Sequence, residues 1–283
     1  MGERSAPLLR CPFTVVDGIM RVAGGAGTVE DYPPEIYSIV ADAEPKHFWF
    51  GARNDIILGV LRRHMATLAG RRVIDVGCGT GFVLQALEAA GADAWGIDMH
   101  LAALAIARGR VRGPLLWSQA EELPFDGGFD GATLCDVIEH AADDAAVVAE
   151  AARVVSPGGF VLVTVPAGPG LWTEYDRVIG HKRRYTRAML EAVFARVGLR
   201  TDEVQYFNCL PAIAQRVQRW LAGADDEGVD PATVVARALA VPPAPINAAL
   251  RRYVPLEARI GRRRWVSGAS LIGIARTQAR RVS

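Results

Sequence analysis

From about residue 70 the chain alternates short runs of β-branched and aliphatic residues with segments whose apolar positions recur every three to four residues. Parallel βαβ units have this signature. Arg72 to Val76 predicts a first strand. Thr80 to Ala90 predicts the helix after it, stopped by Gly91, a residue type suited to a C-cap. Ala94 to Asp98, Leu115 to Ser118, Asp130 to Cys135 and Phe160 to Val165 predict four further strands, with helices over Leu101 to Arg108 and Asp143 to Val155. Thr186 is placed to cap a helix through Val197, and Glu203 to Phe207 and Ser270 to Ala275 predict the last two strands.

Between those last strands, Leu210 to Val266 is far too long for an ordinary connection and predicts structure of its own. Pro211 can start a helix with Ile213, Val217, Trp220 and Leu221 on one face. Asp230 and Pro231 form an N-cap and first-turn pair for a second helix through Ala240, which Pro242, Pro243 and Pro245 break. Upstream, Asp55 to Met65 has helical spacing and suggests a lid. The expected organisation is therefore an N-terminal lid over 1–66, an α/β core over 67–209 and 267–279, and a helical insertion over 210–266.

Composition narrows the function classes only slightly. The 283 residues are 51% hydrophobic and 22% charged with a formal net charge of +1, which provides no general field for nucleic acid or acidic polymers. Nucleic acid is accordingly an unexpected partner. Cys11, Cys78, Cys135 and Cys209 lack a Cys-x-x-Cys pair, so neither a metal site nor a disulfide framework is expected, and a reducing cytoplasm is the expected compartment. No run approaches the roughly 18 apolar residues of a membrane span. From Arg251 the chain holds many arginines, including Arg262, Arg263 and Arg264, against the single acid Glu257; this basic stretch could meet an anionic acceptor, nucleic acid or, peripherally, phospholipid headgroups, with a solubilising surface as the alternative. Nothing in the sequence sets an oligomeric state.

The chemistry concentrates in VIDVGCGTG, Val73 to Gly81, where a strand gives way to a helix. Gly77, Gly79 and Gly81 allow a sharp turn and close approach of a ligand to a helix N-terminus, whose free N–H groups favour a carboxylate. Asp75 is the discriminating residue: a carboxylate there opposes a pyrophosphate and suits a ligand with an α-amino cation. Asp98 ends the second strand about twenty residues on, where an acid can hold ribose hydroxyls. Ser118 to Phe125, SQAEELPF, follows the third strand and can hydrogen-bond and sandwich a base.

With FDGATLCDVIEH and VVSPGGFVLVTVP, these segments resemble the class I S-adenosylmethionine-dependent methyltransferases over roughly residues 70 to 167. HFWFGARN and LWTEYDRVIGHKRRYTRAML are similar to the UbiE-like, type 11/12 subgroup. The resemblance implies a Rossmann-like fold: a seven-stranded, mostly parallel sheet with helices on both faces, an N-terminal helical lid and a helical insertion between the last two strands. It implies S-adenosylmethionine as cofactor and S-adenosylhomocysteine as product. Asp75, Gly77 and Gly79 would line the methionine end, Asp98 the ribose, Met99 the adenine, and Ala120 and Glu121 would flank the base. Cys135 would offer a backbone carbonyl near the amino group. Gln119 stands where many relatives have an Asp that contacts the adenine amine. Trp49 and Arg53 are candidates for a lid contact and for the cofactor carboxylate.

The expected reaction is methyl transfer to oxygen or nitrogen of a small-molecule acceptor, such as a natural-product or glycolipid intermediate. His140, after the fourth strand, can take a proton from an acceptor hydroxyl or amine, and His181 and Tyr185 can line the acceptor pocket. Structural hydrogen bonding or solvated surface is the alternative for each. An NAD(P)-dependent oxidoreductase on the related fold is disfavoured by Asp75 and by the absence of a Tyr-x-x-x-Lys pair. A nucleic-acid methyltransferase is disfavoured by CDVIEH at the fourth strand. A cofactor-binding protein without catalysis remains the third alternative.

Overall fold

The computed structural model describes residues 7, 9–22, 34–210, 229–259 and 267–278. In chain order the elements are β1 (Phe13–Val16), β2 (Ile19–Val22), α1 (Pro34–Ala43), α2 (Phe48–His64), β3 (Arg72–Val76), α3 (Phe82–Ala89), β4 (Asp93–Asp98) and α4 (Leu101–Arg108). They continue with β5 (Leu115–Trp117), β6 (Phe129–Cys135), α5 (Asp144–Val154), β7 (Val155–Pro166), α6 (Glu174–Val178), α7 (Arg187–Arg196), β8 (Arg200–Phe207), α8 (Pro231–Ala238), α9 (Ala244–Glu257) and β9 (Ser270–Arg276).

The described strands form one sheet in the order β1-β2-β5-β4-β3-β6-β7-β9-β8. Strands β2, β5, β4, β3, β6 and β7 run parallel, while β9 is antiparallel to both β7 and β8. This is the Rossmann-like architecture expected from the sequence, with one difference. Nine strands among the described residues stand against the seven expected, because an antiparallel hairpin, β1–β2, adds to the β5 edge. Its turn is Asp17–Gly18, both at positive φ (53° and 73°), so the backbone twist matches that of the flanking strands.

Strand β3 is central and buried throughout; Val73, Ile74 and Val76 have no exposed surface. Each such side chain contributes about 1.5–3 kcal/mol of burial. The expected caps form: Asp143 accepts from the Ala145 and Ala146 amides at 3.1 and 3.2 Å, and Thr186 from the Met189 amide at 3.3 Å.

Helix α2 starts at Phe48, seven residues before the periodicity suggests, and so takes in the aromatic segment. Helix α9 lies along α2, and α8 packs against α1 and α6. Asn247 of α9 accepts from the Phe48 amide and donates to the Lys46 carbonyl, both at 2.8 Å. The expected helix from Pro211 with Trp220, and Arg262 to Arg264, lie outside the described residues.

Candidate functional site

In an open parallel sheet the crevice for ligands lies beyond the carboxyl ends of the strands, where strand order reverses. Here the reversal falls at β3, which pairs β4 on one side and β6 on the other. Asp75, Asp98 and Cys135 stand at the carboxyl ends of β3, β4 and β6.

The glycine loop leaves β3 with Gly77, Gly79 and Gly81 at φ of 71°, 52° and 81°. A Cβ on Gly77 would meet Val137 at 2.5 Å, whereas one on Gly79 would meet no atom within 4 Å. The chain is thus packed tightly at Gly77 and open at Gly79, the two requirements of a ligand cradle. Helix α3 begins with no side-chain cap, which leaves its first-turn amides available to a carboxylate. The Thr80 hydroxyl is taken by Glu44 at 2.6–2.7 Å, and Arg110 clamps Glu44 while donating to the Ala41 carbonyl at 2.7 Å. This buried network ties α1 to the loop.

Asp75 is 1% exposed, and the Thr133 hydroxyl donates to it at 2.6 Å. Burial pushes its carboxyl up to about 7, against the opposing effects of Thr133 and Arg53. A group so placed ionises readily only when a cation arrives. Asp98 accepts from the Gly79 and His100 amides, each at 2.8 Å, so it braces the loop to β4 and retains lone pairs for further donors. The Trp117 indole donates to the Met99 carbonyl at 2.8 Å. Gln119 and Ala120 follow β5, in a turn held by the Ser118 amide on the Asp98 carbonyl; both are half-buried, whereas Glu121 is exposed.

Arg53 is buried, with its guanidinium 4.7 Å from the Trp49 ring, and forms an ion pair with Asp136. Asp136 sits at φ 58°, immediately after β6. The structure thus gives Arg53 a protein carboxylate that the sequence reading did not anticipate, but its Nε is buried without an acceptor. Cys135 is 9% exposed, and burial raises its thiol well above the usual range, consistent with a contribution through its backbone.

The three catalytic candidates separate. Tyr185 has no exposed surface and its hydroxyl donates to Asp144 at 2.9 Å, so it joins the start of α5 to the segment before α7. The hydroxyl expected to line the acceptor pocket is thus engaged by Asp144. His140 and His181 meet edge to face with ring centroids 4.8 Å apart, and burial followed by the repulsion of His181 pushes His140 down to about 4. His181 Nδ1 is 2.7 Å from Asp176 Oδ1, and Asp176 is also held by Arg184 at 2.8 and 2.9 Å. Glu139, missed in the sequence reading, is wholly buried between them, and neither of its carboxyl oxygens has a hydrogen-bond partner. Its place in CDVIEH was the available signal.

Residues 74–163 match the family model described as a methyltransferase domain. The ubiquinone biosynthesis O-methyltransferase of Thiobacillus denitrificans is 41% identical over 103 residues, covering 34% of this chain and 44% of the relative. The chain thus spans less than half the length of that curated relative. Among solved structures, an S-adenosylmethionine-dependent methyltransferase of Thermotoga maritima has a TM-score of 0.54 at 17% identity, covering 86% of this chain and 99% of its own. Phosphoethanolamine N-methyltransferase 2 of Haemonchus contortus, solved with S-adenosyl-L-methionine, has a TM-score of 0.51 at 20% identity, covering 78% and 52%. Residues 74–163 are therefore similar to methyltransferase domains, and the surrounding fold is that of the solved neighbours.

Proposed function

We propose that this chain, whose core is a class I methyltransferase domain of the UbiE-like, type 11 kind, transfers a methyl group from S-adenosylmethionine to a small-molecule acceptor. The observation that carries the reading is Asp75: a buried carboxyl, held up at about 7, beside an open glycine turn and an uncapped helix start. A ligand bearing both an α-ammonium and an α-carboxylate fits that combination, and a pyrophosphate does not.

When bound, S-adenosylmethionine supplies an electrophilic methyl on a sulfonium and leaves as S-adenosylhomocysteine. Asp75 and the Cys135 carbonyl receive the ammonium, and the first amides of α3 and Arg53 receive the carboxylate. Asp98 accepts from the ribose hydroxyls, and Met99, Gln119, Ala120 and Glu121 surround the base. Trp49 and α2 cover the site and exclude water, which strengthens each of these contacts. Displacement at a methyl carbon needs an aligned acceptor, so the task of the remaining residues is orientation. His140 and His181, with Glu139, form the polar wall where an acceptor hydroxyl or amine is held and loses its proton. The O-methyltransferase name of the curated relative supports oxygen as the acceptor atom.

Among the described residues no helix is long and apolar enough to cross a membrane. Helix α9 exposes Ile246, Tyr253 and Leu256, and these residues on the helix that carries Arg251 and Arg252 support peripheral contact with an anionic surface. Cysteine usage supports a cytoplasmic setting.

The test is calorimetric titration with S-adenosylmethionine, S-adenosylhomocysteine and NADH in parallel. Micromolar binding of the two adenosyl ligands and none of NADH is expected. The reverse pattern would move the chain to the oxidoreductases.

A further inference from the structure

A buried carboxylate without hydrogen-bond donors is costly, by several kcal/mol in an apolar interior, so burial pushes the Glu139 carboxyl well above the usual carboxylate range and holds it protonated until a cation meets it. Glu139 has no exposed surface and two unpartnered oxygens. The nearby cations are committed elsewhere: Arg184 to Asp176, Arg183 to Asp144 and Arg53 to Asp136. His181 Nε2 approaches Glu139 Oε1 at 3.7 Å, beyond hydrogen-bond reach. One ligand atom each from Glu139, His140 and His181 lie within 4.8 Å of one another.

The surroundings of the two imidazoles are equally specific. Asp176 fixes Nδ1 of His181 and so turns Nε2 towards Glu139, while the His140 ring meets the His181 ring edge to face with centroids 4.8 Å apart. An imidazole held from behind by a carboxylate or a carbonyl, with its other nitrogen directed at an oxygen ligand, is the outer-shell arrangement of metal-bound histidine. In a tetrahedral site with bonds of about 2.1 Å, ligand atoms are about 3.4 Å apart. The 3.7 Å separation is already close to that value.

We infer that Glu139, His140 and His181 bind a divalent first-row transition-metal cation, with zinc as the type and with one coordination position left to the acceptor. Two imidazoles and a carboxylate suit such an ion better than magnesium or calcium, which prefer oxygen alone. The sequence reading expected no metal because it looked for cysteine pairs. These ligands come from one loop after β6 and another after α6, 41 positions apart (His181 against His140), and only the fold unites them. The part the cation plays in turnover rests on the methyl-transfer reading. It is a Lewis acid that lowers the pKa of an acceptor hydroxyl, so that the O–H proton leaves to solvent as the O–CH3 bond forms and the S–CH3 bond breaks.

The experiment is titration of the chelator-treated full chain with Co2+, followed by visible absorption and by displacement with Zn2+, with S-adenosylhomocysteine calorimetry on the same preparation. One equivalent of Co2+ is expected, with the intense bands of a four- or five-coordinate ion, and Zn2+ displaces it. Glu139→Gln and His140→Ala each weaken binding at least about a hundredfold, and Asp176→Asn weakens it about 10- to 100-fold through the orientation of His181. His64→Ala, which removes a histidine paired with Glu203 elsewhere, leaves the affinity unchanged. His140→Ala, in a partly exposed loop, carries the test should Glu139→Gln fail to fold. Absence of stoichiometric Co2+ uptake by the wild-type chain, or unchanged affinity in His140→Ala, overturns the metal site. Adenosyl-ligand binding in that same preparation would leave the methyl-transfer reading standing.

Discussion

On the proposed reading, Asp75 should make the affinity for the adenosyl ligand a function of pH in a range where free carboxylates no longer titrate. In the free protein its carboxyl is pushed up to about 7 by burial, against an ordinary 3.8. The folded state thus binds the proton more tightly than the unfolded state. The free protein should lose stability as pH rises through the window between those two values, and the ligand should reverse that loss. An ammonium partner binds the ionised form. At pH 6 roughly a tenth of the molecules are ionised and at pH 7 about half, so the apparent affinity should rise about fivefold across that unit and about twofold more above it. The rise should end near pH 8, where the ligand's own α-amino group begins to lose its proton. Calorimetry with S-adenosylhomocysteine in buffers of different ionisation enthalpy measures this directly: about 0.9 proton should be released per ligand at pH 6. Asp75→Asn should abolish both the release and the acid limb. A wild-type affinity that is flat from pH 6 to 7.5, with no proton release, would refute the ammonium contact.

Other perturbations probe the rest of the site. Asp98→Ala should weaken adenosyl-ligand binding by about 1.5–3 kcal/mol in calorimetry, because a charge-assisted acceptor for the ribose is lost together with the brace on the Gly79 amide. Gly77→Ala should be worse than Gly79→Ala in thermal unfolding, since only the first meets Val137 at 2.5 Å. Tyr185→Phe should cost about 1–2 kcal/mol in denaturant unfolding through its lost bond to Asp144, with kcat within about twofold of wild type; a collapse of kcat in a folded variant would restore it to the chemistry. Arg110→Met should cost about 3 kcal/mol or more, because it leaves Glu44 buried without its countercharge, and chemical unfolding checks it.

The legible parts of this molecule are those that local physics specifies. The runs at Arg72 and Phe160 are apolar enough to lie buried on both faces, and the glycines of VIDVGCGTG fix the turn whatever packs above it. The β1–β2 hairpin was missed although its signal was present, since Asp17–Gly18 lies between TVV and IMRV. The start of α2 was hidden for a different reason: HFWF has no helical alternation because His47, Trp49 and Phe50 serve different neighbours, a cap, a cation–π partner and the buried interior. Residues that act in pairs were the least legible. Arg53 with Asp136, Arg110 with Glu44, and Glu139 with His181 are 83, 66 and 42 positions apart (His181 against Glu139 for the last), and their meaning arises only once the strands are in register.

The amide of Asn247 settles when the start of α2 can be secured during synthesis. It joins Lys46 and Phe48 across separations of 201 and 199 positions, at the start of the helix that carries Trp49 and Arg53. The β3–α3–β4 unit needs only nearby sequence and can assemble early, because local contacts close at low entropic cost. The entrance of α2 must wait until α9 has emerged, long after the strands it protects are made. A nascent chain should therefore carry a formed glycine turn before α2 is secured, and on the proposed reading the shielding of the adenosyl ligand would arrive among the last events of folding.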